Sequence, residues 1–232
     1  MKRFIKYTST LALGLPLMIL LTLAMISGTL LESYKSAEYA QTYIYYHPWF
    51  TVLNGLIALN ILMATYVRFP FKKHQTGFVI THSGLLLLFA GAIANQLNGI
   101  DGSLMIREGG KSNAVYQSHT DKTFVLPYVV ELNSFKLNHE KASGALMDYE
   151  SEVTIDGKKF LISMNEPLNY GGFNLYQSSY QLESQGNISI FSVAYDPGRS
   201  LKYLGSLCLF LGMMIMYYFK TGIFAKSGSA EH

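Results

Sequence analysis

At 232 residues, half of them hydrophobic and with a formal net charge of only +3, the chain has room for one or two domains, and its apolar residues gather in runs too long for ordinary core helices. That excludes a soluble enzyme, and the scattered lysines and arginines exclude nucleic acid as a partner, because no basic run tracks a phosphate backbone. The single cysteine, Cys208, lies in an apolar run as a small helix residue, which excludes a CxxC thiol exchanger, an internal disulfide and a thiolate metal cluster.

The basic start, MKRFIKYTST, precedes an apolar run over 11–31. It exceeds a usual signal-peptide core and no A-x-A-like site follows, so the pattern predicts an uncleaved first membrane span with Pro16 as a candidate kink. Residues 32–48 are polar and carry Tyr34, Tyr39, Tyr43, Tyr45 and Tyr46 ahead of Trp49, which predicts an interfacial loop or short amphipathic helix. A second span over 50–67 closes on Arg68, Lys72, Lys73 and His74.

The third span, over 76–98, reads TGFVITHSGLLLLFAGAIANQLN. Gly77, Gly84 and Gly91 recur at heptad spacing and line one face, where another helix backbone can approach closely. His82 falls on a different face with Phe78, Leu85, Leu86 and Phe89, so one face is expected to pack this bundle and the other to await a partner helix.

Residues 99–202 have a β pattern. Glu152-Val153-Thr154-Ile155 and Lys158-Lys159-Phe160-Leu161-Ile162 flank an Asp156-Gly157 turn, a strong hairpin signal, and 122–132 and 187–195 read as further strands. Gly109-Gly110 and Gly171-Gly172 punctuate turns. A fourth span then runs over 203–219. Lys2, Arg3, Lys6, Arg68, Lys72, Lys73, Lys220 and Lys226 all fall on one side of such an arrangement, which predicts cytoplasmic termini and a multi-pass protein of the cytoplasmic (inner) membrane. The expected fold class is a membrane protein: a four-helix transmembrane bundle with a β-rich extracytoplasmic domain between the third and fourth helices, divided as 1–98, 99–202 and 203–232.

No hydrolase signature and no catalytic residue emerge from this pattern. His119 and His139 lack companions at metal-ligand spacing and read as surface histidines; His74 sits in the basic turn and His47 at the interface. His82 differs, because an ionisable group inside a span is costly enough to mark a functional site. A neutral imidazole is a good ligand for haem iron, but a haem b site with two protein ligands needs a second histidine at the same depth, and the chain has none. Either another subunit supplies it, or the iron is five-coordinate, or no haem binds.

The run Asn165-Glu166-Pro167-Leu168, then Gly171-Gly172, then Tyr176-Gln177-Ser178-Ser179-Tyr180, then Asp196-Pro197-Gly198, resembles the N-x-P-L…G…Y-Q-S-S-Y…D-P-G signature of ResB-like (CcsB) cytochrome c biogenesis proteins. The order of parts and the Gly-Phe-x-x-Thr-His pattern at 77–82 are similar too. The resemblance implies a subunit of the system II cytochrome c synthetase, working with a ResC/CcsA-like partner to move haem across the membrane and support its attachment to the CxxCH motif of apocytochrome c. It implies His82 as an axial ligand of haem b bound in transit and not covalently, the only metal contact of the chain, with a histidine of the partner opposite. It further implies a non-catalytic or co-catalytic role in a haem lyase complex, served by thiol-disulfide reductants. Asn165, Pro167, Asp196, Pro197 and Gly198 carry the signature without an assigned role; Tyr176, Gln177 and Tyr180 are expected to order the outer domain. With Trp49 the only tryptophan, the tryptophan-rich motif of the partner half is missing here. The alternative is a membrane scaffold or chaperone that assembles the partner and apocytochrome without touching haem; b-type electron transfer to quinone would want paired histidines.

Overall fold

A computed structural model of the protein describes residues 7–117, 120–139, 146–184 and 186–220. They form two compact units, Met1–Asn98 with Pro197–His232, and Gly99–Asp196. Lys2, Arg3, Lys6, His119, Lys226 and the side chain of His139 lie outside the described residues.

In the first unit, α1 spans Leu11–Tyr34 with Pro16 inside it, α3 spans Pro48–Tyr66, α4 spans Thr76–Asn98 and α5 spans Arg199–Lys220. All four are long and apolar enough to cross a membrane. Between α1 and α3, Ser36 accepts a hydrogen bond from the Tyr39 amide at 3.2 Å and caps a single turn, α2 (Ala37–Ala40), which runs on as a π-helical turn over Gln41–Tyr45. This corrects the expected layout. The tyrosine-rich connector contributes a helix of its own, so in the element order of the described residues the strands follow the fourth α-helix and precede the fifth, not the third and fourth.

Helix contacts run from α1 to α3, α3 to α4 and α4 to α5, with α4 on α5 the most extensive. The reason lies in six glycines. Gly77, Gly84 and Gly91 are buried on α4, and opposite them stand Gly212, Gly205 and Gly198 at the same seven-residue spacing. A Cβ on Gly84 would lie 2.7 Å from the Gly205 carbonyl oxygen, one on Gly205 2.7 Å from that of Gly84, and one on Gly77 2.9 Å from that of Gly212. A Cβ on Gly198 would fall on the Gly91 carbonyl. Backbones this close leave no room for a side chain at these positions unless the helices shift apart. Gly14 and Gly28 make α1 fit likewise, against Asn60 and the Tyr45 ring.

The second unit is one antiparallel sheet of eight strands: β1 (Ile100–Arg107), β2 (Lys111–Gln117), β3 (Lys122–His139), β4 (Leu146–Ile155), β5 (Lys158–Ser163), β6 (Leu168–Tyr170), β7 (Phe173–Gln181) and β8 (Ile188–Tyr195), in the order β5-β4-β3-β2-β1-β8-β7-β6. β5 also touches β6 and β7, so the two ends of the sheet roll toward each other. The roll encloses a core that includes Leu104, Val130, Leu132, Val153, Ile162 and Phe191, each at most 2% exposed. Alternation puts these residues on one face. At the Asp156-Gly157 turn both residues have positive φ, 49° and 75°, and Ile155 pairs with Lys158 across it, the geometry of a two-residue type I′ hairpin. The strand read at 122–132 continues to His139, and that read at 187–195 is β8.

Candidate functional site

Helix α4 presents two faces to its own unit. Its glycines meet α5, while His82 lines a recess of about 190 Å³ with Ser9, Thr10, Asn60, Arg68 and Phe78. The histidine face is therefore not left entirely to a partner helix: the start of α1 and the end of α3 already stand beside it. That corrects the expectation of an open face. The cause is polar pinning within the spans. Asn60 of α3 donates to the carbonyls of Thr8 at 2.6 Å and Thr10 at 3.2 Å, which ties α3 to the backbone just ahead of α1. Thr10 is the N-cap of α1, its Oγ1 accepting from the Leu13 amide and donating to the Tyr7 carbonyl.

The imidazole is fixed twice. Nδ1 of His82 lies 3.0 Å from the carbonyl oxygen of Phe78, one turn earlier, and only an N–H can bond there. Nδ1 therefore carries the proton of the neutral ring and Nε2 keeps its lone pair, the tautomer in which a histidine binds a metal. The Phe78 ring lies against the imidazole with centroids 3.8 Å apart. Arg68, at the foot of α3, sets its guanidinium carbon 4.3 Å from the Phe78 centroid while Nη1 donates to the Ala64 carbonyl at 2.8 Å. A cation is thus held on the ring that packs against the imidazole, at the same recess.

The arrangement can offer one nitrogen ligand and one positive charge to a ligand bearing a metal and anionic groups. Among the described residues no three His, Cys, Asp or Glu side chains come together. The recess is also smaller than the ~300 Å³ at which small-molecule pockets begin, so a large planar ligand would need a further wall. His47 is engaged elsewhere, as N-cap of α3 with Nδ1 accepting from the Trp49 amide, and His74 lies in the short 3-10 turn Lys73–Gln75.

Of the signature residues in the second unit, Gln177 and Tyr180 pack between strands. Gln177 is 4% exposed; its Nε2 donates to Ser189 Oγ at 2.7 Å, and Ser189 Oγ is 2.8 Å from Ser151 Oγ, so β7, β8 and β4 are tied through the interior. Among the described residues Gln177 Oε1 has no partner. The Tyr180 ring packs on Phe135 and Tyr149, and the Tyr149 hydroxyl donates to the Ser178 carbonyl, again joining β4 to β7. The Tyr176 hydroxyl accepts from Asn174 Nδ2 at 3.1 Å. Asn165 and Pro167 are exposed in the β5–β6 connection. Asp196-Pro197-Gly198 leads into α5, with Gly198 buried against Gly91.

The ResB-like family profile matches residues 73–190, from the turn before α4 into β8. Protein NrfI of Wolinella succinogenes is 34% identical over 95 residues, 38% of this chain and 10% of that protein. Cytochrome c biogenesis protein CcsB of Synechococcus sp. (strain JA-2-3B'a(2-13)) is 25% identical over 118 residues, 47% of this chain and 25% of that one. The similarity therefore takes in a quarter or less of these relatives' own length. Among solved structures, the cytochrome c haem lyase CcmF aligns over 87% of this chain and 34% of its own, with a TM-score of 0.47 and 11% identity.

Proposed function

The chain belongs to the ResB-like family, and from that membership we propose that it is a haem-handling membrane subunit in cytochrome c maturation, the process for which its CcsB relatives are named. The observation that carries the reading is His82: Nδ1 is committed to the Phe78 carbonyl, which leaves Nε2 as a ligand beside Arg68. In this reading haem b is cargo, bringing its iron and its vinyl groups. His82 binds one axial face without covalent attachment, and Arg68 faces the propionates. A ResC/CcsA-like partner supplies the second axial ligand and the missing wall; apocytochrome c receives the haem, its CxxCH thiols kept reduced by other proteins. The chain acts as a co-catalytic subunit of system II. We place it in the inner membrane with Arg68, Lys72 and Lys73 on the cytoplasmic side and 99–202 outside, the orientation that basic residues favour.

The test is to purify the chain with its partner from membranes and compare His82→Ala with wild type. The expected result is loss of the bound-haem absorption and of cytochrome c maturation. Unchanged haem content together with unchanged maturation would overturn the reading and leave the scaffold role in its place.

A further inference from the structure

In the β unit, strand β3 outruns its neighbour β4. It covers Lys122–His139, but β4 pairs with it only from Val130 onward, because β4 ends at Ile155 and turns back through Asp156-Gly157 into β5. On its other side the first half of β3 pairs with β2, from Gln117 opposite Lys122 to Ala114 opposite Val125. Alternation tells which backbone groups of that half are left over. Leu132 turns toward the β2 side, its N–H donating to the Gly110 carbonyl at 2.9 Å and its carbonyl accepting from the Gly109 amide at 2.8 Å. Burial then alternates without a break: Leu126, Tyr128, Val130 and Leu132 are buried, while Val125, Pro127, Val129 and Glu131 are exposed. In a strand, residues two apart share both a face and a hydrogen-bonding edge. The backbone groups of Thr123, Val125, Pro127 and Val129 therefore point away from β2. Among the described residues no strand pairs with them on that edge and no turn backbone bonds to them. Pro127 agrees with this placement, since proline, having no N–H, is confined to edges and bulges.

We propose that residues 123–129 are a docking edge for an extended polypeptide segment of a partner protein, which adds to β3 as a strand in the row that β4 vacates. Only an extended backbone carries donors and acceptors at the spacing of this edge, which offers the N–H groups of Thr123, Val125 and Val129 and the carbonyls of all four outward residues. Proteins ordinarily cover or blunt a free edge of this length, roughly 23 Å at strand rise. Val125 and Val129, 61% and 45% exposed, are β-branched residues that gain cross-strand neighbours from such a segment. The edge ends in a recess of about 420 Å³ at the corner where β4 turns away, walled by Tyr128, Val129, Thr154 and Gly157. Two carboxylates, Glu131 and Asp156, and one base, Lys111, also line it, so the recess suits a basic side chain at the end of the segment and disfavours an acidic one. Nothing in this placement depends on haem.

The experiment uses the full-length chain in detergent and a peptide of alternating valine and threonine, matched in length to 123–129 and closed by a lysine at each end. Its control is the same peptide N-methylated throughout, which keeps every side chain and removes every backbone donor. Hydrogen exchange at single-residue resolution reads the edge directly. In the free protein the amides of Thr123, Val125 and Val129 should exchange fast, and those of Phe124 and Leu132, turned toward β2, slowly. The peptide should slow the three edge amides about tenfold, and the N-methylated peptide should leave them unchanged. Val125→Pro removes one edge donor without touching the β2 ladder. It should weaken the peptide about fivefold, as for one lost hydrogen bond, with Leu132 exchanging as in wild type to show the sheet intact. The peptide pair tests the edge in the wild-type chain alone, whether or not that variant folds. Absence of protection up to about 1 mM peptide, equal protection by both peptides, or undiminished affinity in a folded Val125→Pro would overturn the proposal. Edge amides that become protected without peptide as protein concentration rises would overturn it too, in favour of pairing between two copies of this chain.

Discussion

His82 and Phe78 hold each other by two independent contacts: a bond from the imidazole Nδ1 to the Phe78 carbonyl at 3.0 Å, and a ring-to-ring approach of 3.8 Å between centroids. The backbone contact sets which nitrogen is protonated, and the side-chain contact sets the plane of the ring.

These two restraints separate under mutation. Phe78→Ala keeps the carbonyl and removes the ring, so Nε2 stays available while the imidazole plane loosens and Arg68 loses its aromatic platform. On the proposed haem-handling reading, haem retained on purification should fall roughly 10-fold, the lower end for loss of a group that orients a metal ligand, whereas His82→Ala should abolish it. Haem stoichiometry by absorption spectroscopy of the two purified variants decides this.

The α4–α5 seam predicts a steep dependence on side-chain size. Gly84→Ala should cost about 1–3 kcal/mol of stability through overpacking, and Gly84→Leu should prevent the two helices from seating. Gly55 has nothing within 4 Å of its would-be Cβ, so Gly55→Ala leaves the fold intact. Thermal unfolding in detergent, followed by circular dichroism, separates the three.

In the β unit the buried Gln177 is half satisfied. Gln177→Met removes the bonds to Ser189 Oγ and to the Ser179 carbonyl and also the unpartnered Oε1, and the two serines still bond each other; the expected cost is about 1 kcal/mol. Gln177→Glu places a carboxyl there, and a buried carboxyl titrates high. Its folded pKa lies above the unfolded value, so the variant should be least impaired in acid and lose stability as pH rises. Urea unfolding at two pH values measures both.

An alkaline limit follows from Tyr128. Burial, with Tyr170 and Asp156 nearby, pushes its phenol up to about 12, and the hydrogen bond from Tyr170 to Asp156 raises Tyr170 as well. Both folded values exceed the unfolded one, so the stabilisation is complete below pH 10 and is lost as pH climbs through 10 toward 12. Tyr128→Phe should shrink that loss while costing about 1 kcal/mol at neutral pH for the bond to the Tyr170 carbonyl. An alkaline titration of the β-sheet signal in wild type and variant is the measurement.

The four spans were legible in the sequence because apolar length alone specifies them, and the Asp156-Gly157 hairpin because positive φ at both turn positions selects those residues. Half of the glycine seam was legible as well. Its other half, Gly198, Gly205 and Gly212, has the same spacing, but Gly198 stands in a turn motif and the other two in an ordinary-looking apolar run. What escaped was long-range. Asn60 and Gln96 are visible as polar residues in apolar helices, yet their partners, Thr8 and Tyr45, lie about fifty positions away and are backbone carbonyls that no sequence pattern marks. β1 and β7 escaped because glycine and serine in one, and an inward glutamine in the other, break the apolar alternation by which strands are recognised. The closeness of α1 and α3 to His82 follows from the Asn60 pin and was hidden with it.

The glycine pairs 91 with 198, 84 with 205 and 77 with 212 leave the seam without a fine adjustment. Any slip shorter than a heptad brings a side chain over a backbone it cannot approach; the next position that realigns glycines lies a full seven residues away, roughly 10.5 Å at helical rise. The two helices therefore behave like a toothed rack with widely spaced teeth. A force on α5 cannot be absorbed by gradual sliding along α4, so below the threshold for a whole-tooth jump the pair moves as one rod, carrying His82 with it.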